Sequence, residues 1–121
     1  LFSFEKLKIY QDAIRLIAEL NAVADRFPEK ERWGLASQLR RAAVSVALNI
    51  AEGSARTKKD NINFLRFARG SVFEIVAILQ VVKTMQYVEN DRYQELYDAC
   101  EVLSKQISSY TKVLTDKNNA I

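Results

Sequence analysis

The chain contains no histidine, one cysteine, one proline and three glycines in 121 residues. Each shortage excludes something. Without histidine there is no Ser–His or Cys–His nucleophile pair. Nor is there the Glu-x-x-His motif that holds metal in helical bundles. One cysteine cannot form an internal disulfide, so a reducing cytoplasm is the expected compartment. Cys100 falls on an apolar helical stripe, where a thiol packs as a small hydrophobe. So little proline and glycine leaves few turn residues for a sheet protein of many short strands. No glycine-rich phosphate loop occurs. No apolar stretch approaches the about 20 residues that span a bilayer, so no membrane contact is expected. No signal peptide is visible, and the opening Leu1 reads as a trimmed start.

Apolar residues make up 49% and charged residues 27%, ordinary for one soluble domain with one core, here residues 1–121. Ala, Leu, Ile, Glu, Lys and Arg dominate, which favours helix. The first helix is expected over about 4–27, capped by Ser3, with Phe2 and Leu7 spaced as a hydrophobic staple. It carries two adjacent apolar stripes: Leu7, Tyr10, Ile14, Ile17, Ala24 and Ile9, Ala13, Leu16, Leu20, Val23, Phe27. Pro28 ends it. A second helix is expected over about 31–52, with Gly53 as its C′ residue. Thr57 caps a third over 58–86. Asn90 caps a fourth over 91–115, whose heptad reads Tyr93, Leu96, Cys100, Leu103, Ile107, Tyr110, Leu114. The tail from Asp116 is expected to fray. Short connections make neighbouring helices antiparallel. The fold class is therefore all-α, an up-down-up-down four-helix bundle.

Between Arg40-Arg41 and Glu52-Gly53 runs an uncharged segment, Ala42 to Ala51, whose only polar side chains are Ser45 and Asn49. A helix that is apolar nearly all round must be buried nearly all round. A small bundle cannot bury one of its own helices in that way. The segment therefore predicts a homo-oligomer, with Val44 and Leu48 in the interface.

Polar residues also interrupt apolar stripes. Helix three reads Phe64, Phe67, Ser71, Glu74, Ile78, Val81, Met85, which places Ser71 and Glu74 in the core. Helix two matches it with Gln38, Ala42, Ser45, Asn49, Glu52. Hairpin geometry makes numbers summing to about 112 level, so Arg41 faces Ser71 and Gln38 faces Glu74. An Arg41–Glu74 ion pair follows, supported by Gln38, Ser45 and Ser71, because a lone buried carboxylate is costly. Arg40, or Arg41 of a neighbouring copy, is the alternative donor. Asn49 is expected to bind backbone or Asn63. Glu52, at a helix C-terminus, needs Arg56, Lys59 or the next subunit. Gly70 suits a place where another helix comes close. Glu52 and Glu74 lie about 20 Å apart along the axis, at about 1.5 Å per residue. They cannot share a metal or act as an acid/base pair. No enzyme activity, cofactor or metal is expected.

The net charge of +3 is unevenly placed. Residues 40–70 hold seven basic against two acidic side chains; residues 86–121 hold four against six. The candidate phosphate contacts are Arg56, Lys58, Lys59, Arg66 and Arg69, with Lys6, Lys8 and Arg15 weaker. No exposed aromatic platform is evident, so phosphates would be touched without bases being read.

The run from Ser37 to Val46, followed by Asn49-Ile50-Ala51-Glu52-Gly53, resembles the signature of bacterial four-helix bundle proteins encoded in intervening sequences of 23S rRNA genes. Phe4-Glu5-Lys6-Leu7, Phe27-Pro28, Phe64-Leu65, and Ala68 through Gly70-Ser71 to Glu74 match in order. The family commonly has proline where this chain has Ala47, so helix two should be straighter. The resemblance implies a closed ring of subunits, a pentamer, associated with rRNA genes and with nucleic acid. Similar bundles are accessory proteins of a retroelement reverse transcriptase. The reading that follows is a non-enzymatic homo-oligomeric scaffold associated with RNA or DNA. The alternative is an accessory ring that docks a protein partner and binds no nucleic acid itself.

Overall fold

The computed structural model describes residues 1–119, among which four α-helices form and no strand does. They are α1 (Lys8–Asp25), α2 (Leu35–Ser54), α3 (Lys58–Thr84) and α4 (Asn90–Asn119). Single 3₁₀ turns, Ser3–Lys6 and Glu29–Glu31, precede α1 and α2. Antiparallel order is visible in the pairings. Arg40 of α2 bonds Asn21 and Asp25 near the end of α1. Lys83 lies over the Tyr93 ring beside the α3–α4 turn, while Arg66 and Lys112 share a groove at the far end of that pair. Arg92 reaches Glu19 at 3.9 Å, bringing α4 back against α1. The bundle is thus up-down-up-down.

The core is a run of apolar side chains at helical spacing. α1 contributes Ile9, Ala13, Leu16, Leu20 and Val23; α4 contributes Tyr93, Leu96, Cys100, Leu103 and Ile107. α2 buries Leu39, Ala42, Ala43, Val46, Ala47 and Ile50. The small alanines let α2 lie close to its neighbours, and α2 continues without a break through Ala47. Tyr87 packs on Phe27 and donates to Glu31 at 3.0 Å, tying together the two loops at one end.

Several expected boundaries move. Leu7 is extended and divides the first helix from its 3₁₀ turn, so Ser3 is not a cap. The Glu5 carboxylate instead accepts from the Phe2 N–H at 2.7 Å. Phe2 stacks on Phe4, which meets Tyr10 edge-on, in place of a staple to Leu7. α2 begins four residues later than about 31, after Gly34. Thr57 does cap α3, accepting from the Asp60 N–H. Asn90 is the first residue of α4 rather than its cap, and the helix continues to Asn119, past the expected fraying at Asp116. Gly53 is not a C′ residue. It lies inside α2, has no positive φ and is buried between the helices.

α3 departs most from expectation. Its buried residues are Ile62, Leu65, Ala68, Val72, Ile75, Ile78, Leu79 and Val82, and all but Ile62 and Ile78 follow one stripe. The stripe expected inside lies one position earlier along the helix. Of it, only Ile78 is buried; Phe67, Glu74, Val81 and Met85 are exposed, and Phe64 and Ser71 are half-buried.

Candidate functional site

α3 presents two outward faces, on either side of its buried stripe. One adjoins α2. There Val44 and Leu48 are 38% and 63% exposed, and Phe67 is 59% exposed. Between the helices the Ser45 and Ser71 hydroxyls meet at 2.9 Å. Asn49 Nδ2 donates to the Ser45 carbonyl at 2.8 Å and to its Oγ at 3.0 Å. This small network consumes the polar groups that the α2–α3 seam would otherwise strand.

Arg41, Gln38 and Glu74 stay outside it. All three are exposed, and no Arg41–Glu74 ion pair forms among the described residues. The reason is the frame of α3: Glu74 points outward, where water solvates it. Arg40, the alternative donor, turns to Asn21 and Asp25 instead. Ser45 rather than Arg41 faces Ser71. Side chains lean toward the N-terminus of their own helix. In an antiparallel pair that lean joins residues of higher number than the level backbone, which is the direction of the shift. Gly70 is not pressed by any helix of its own chain, since an added Cβ would meet nothing within 4 Å.

Glu52 is held by Arg56, one turn along α2, with its own Oε1 2.5 Å from Nη2. That hydrogen bond, then the carboxylate charge, keeps the Arg56 guanidinium further above its ordinary range. Arg56 also covers the Phe64 ring at 5.3 Å. It is therefore largely committed within the chain.

The second outward face lies toward α4. Lys58, Lys59, Arg66 and Arg69 are all exposed there, and none has a carboxylate partner among the described residues. Arg66 has only a weak bond to the Asn63 side chain at 3.4 Å. By contrast, Lys8 and Arg15 of α1 both pair with Asp12. They project from a helix that packs on α2 and α4 and do not join the α3 face; Lys6 is exposed at the chain's start. The structure adds a residue that linear charge counting missed. Lys112 of α4 stands across an open trough from Arg66 and Arg69, over Leu65, Ser108, Thr111 and Thr115. An aromatic also belongs here: Phe73 is 53% exposed, and the Arg69 guanidinium lies 4.5 Å from its ring centre.

Burial pushes the Cys100 thiol up to about 12, so it stays protonated and unreactive near neutral pH. Among the described residues no cluster of His, Cys, Asp and Glu could hold a metal ion. Among the described residues no helix is long and apolar enough to cross a membrane.

Known proteins fix the lineage. The sequence profile of the 23S rRNA-intervening sequence protein family matches residues 5–109. No functionally curated protein matches the chain. Among solved structures, one similar chain is a protein of unknown function from the S23 ribosomal protein family of Bacteroides thetaiotaomicron. Its TM-score is 0.80 at 17% identity, covering 86% of this chain and 95% of that one. At that identity the likeness speaks for the fold.

Proposed function

The chain belongs to the 23S rRNA-intervening sequence protein family, and from that premise we propose that it is a non-enzymatic, self-associating scaffold that holds nucleic-acid phosphates along α3. The observation that carries this reading is the row of exposed cations without carboxylate partners among the described residues: Lys58, Lys59, Arg66 and Arg69. Most other arginines of the bundle are tied to Asp or Glu. Lys58 and Lys59 also sit in the first turn of α3, where the helix dipole adds positive potential. Cations placed there repel one another and the dipole; Asp60 in the same turn offsets part of that repulsion, and a phosphate would relieve the rest. The apolar face of Val44, Leu48 and Phe67 is turned toward the α2 side, so self-association leaves the basic row open. A closed ring of such chains, five by resemblance to the family, would repeat the row around its rim.

Binding to duplex RNA or DNA should weaken steeply with salt, with a log–log slope of about −3 to −4 for four phosphate contacts. Reversing Lys58 and Lys59 to Glu should remove at least two of those contacts and flatten the slope accordingly. Absence of binding by the parent protein at low salt, or tight binding indifferent to salt, overturns the proposal. Capture of a protein partner that survives nuclease digestion, with no nucleic-acid binding by the purified protein, would favour the accessory-ring reading instead.

A further inference from the structure

The basic row is not purely ionic. Phe73 is more than half exposed in the middle of α3, on the same outward face as Arg66 and Arg69. Leaving an aromatic ring in water forgoes the burial that usually places phenylalanine inside. The Arg69 guanidinium lies 4.5 Å from the ring centre. Across the trough stands Lys112; Ser108, Thr111 and Thr115 line it, with the two threonine hydroxyls donating to backbone carbonyls of α4. A flat ring beside a planar cation, flanked by further cations, is the composition that single-stranded nucleic acid uses. Unpaired bases stack on the ring or the guanidinium while the backbone follows the positive charge. A duplex offers phosphates but keeps its bases stacked on one another.

A second exposed aromatic makes a useful contrast. Trp33 is 82% exposed with Arg32 over its ring at 5.2 Å. Arg32, however, is 3.6 Å from Glu29, and Asp25 lines the same depression. Arg40 in that depression pairs with Asp25 as Arg32 does with Glu29, so its cations are already matched by carboxylates. Of these two pairs, the Phe73 one sits among cations that have no carboxylate partner in the described residues.

We propose that Phe73 and Arg69 form a stacking platform that makes this scaffold prefer single-stranded over double-stranded nucleic acid, with Arg66 and Lys112 guiding the strand along the α3–α4 trough. The inference rests on the phosphate-binding reading above and adds the class of strand. Stacking is indifferent to the 2′-hydroxyl, so single-stranded RNA and DNA of one sequence should bind alike.

The test is fluorescence anisotropy with labelled single-stranded RNA, the matching single-stranded DNA and the matching duplex, at one low salt concentration. The parent should bind the single strands more tightly than the duplex. Phe73→Ala should weaken the single strands about tenfold or more and leave the duplex and the salt slope unchanged. Phe73→Trp should restore or exceed parental binding, and Trp33→Ala should change nothing. Because Phe73 is exposed, circular dichroism and the thermal midpoint should not move. Equal affinity of the parent for single strand and duplex overturns the inference, as does Phe73→Ala binding like the parent. In both of those results phosphate binding itself stands. No binding of the parent to any probe overturns the phosphate-binding reading together with this one.

Discussion

A β-carbon added to Gly53 would lie 2.5 Å from Asn61 Oδ1 and 2.8 Å from Phe64 Cβ. The amide oxygen can swing away, but the Phe64 Cβ is fixed to the α3 backbone. Gly53→Ala therefore forces α2 and α3 apart where they leave the turn. Overpacking of this kind costs about 1–3 kcal/mol, against roughly 1 kcal/mol gained from replacing a helical glycine by alanine. A net loss of up to about 2 kcal/mol should appear as an earlier urea midpoint; a midpoint above the parent's would show that the close approach is not what requires glycine. The sequence marks Gly53 clearly as special but points to the wrong reason. A glycine after a helical run reads as a left-handed terminus, and only the position of Asn61 and Phe64 in space reveals the contact. Gly70 is the converse case. Its chain presses nothing against it, although an interior glycine weakens a helix.

At the scale of the helix, α3 ends in a way its sequence conceals. Gln86 adopts φ 64°. The Tyr87 N–H bonds the Val82 carbonyl at 2.9 Å, and the Gln86 N–H bonds that of Lys83 at 3.0 Å. Together these make a Schellman motif with glutamine in the seat that glycine favours. Gln86→Gly relieves the left-handed strain of a side chain, at the cost of a more flexible unfolded state. It should raise stability by about 0.5–1 kcal/mol, seen as a higher thermal midpoint; a lower one would mean that glutamine makes compensating contacts.

The helices also differ in how far their burial can be read from sequence. α4 carries one apolar stripe, and that stripe lies inside. α3 carries two at the same three-and-four spacing. Periodicity gives the angle between stripes but not which one faces the core. The stripe holding Ser71 and Glu74 faces outward or along the seam, while the wholly apolar one, Leu65 to Val82, is buried. The polar pair was itself the sign of an outer face. The basic row on α3 was legible because it lies within one helix. Lys112 was not, because it reaches the trough from another helix, within a stretch whose net charge is negative.

For the whole molecule the open question is what covers the outer side of α2. Its sequence reads as apolar all round, and the bundle resolves that only in part. The inner alanines, Val46 and Ile50 are covered, while Val44 and Leu48 remain in water beside Phe67. These are large side chains on adjoining helices, with the bare backbone of Gly70 on the same helix as Phe67. Neighbouring exposed apolar side chains of this kind mark association surfaces. Arg41 and Glu74, both outward and unpaired among the described residues, flank this surface with charges of opposite sign. A second copy can match each with its opposite. Leu48→Asp separates folding from assembly. Because Leu48 is 63% exposed in the single chain, the aspartate stays hydrated there and the fold should survive with its helical signal intact. In an assembly the same carboxylate loses water without gaining a partner, at a cost of several kcal/mol per subunit. Light scattering should report the parent as a multiple of 13.8 kDa, with five the number the family resemblance implies, and the variant as a single chain. Identical masses for the two, at one chain or at many, would remove Leu48 from any interface and leave the apolar side of α2 without a physical explanation.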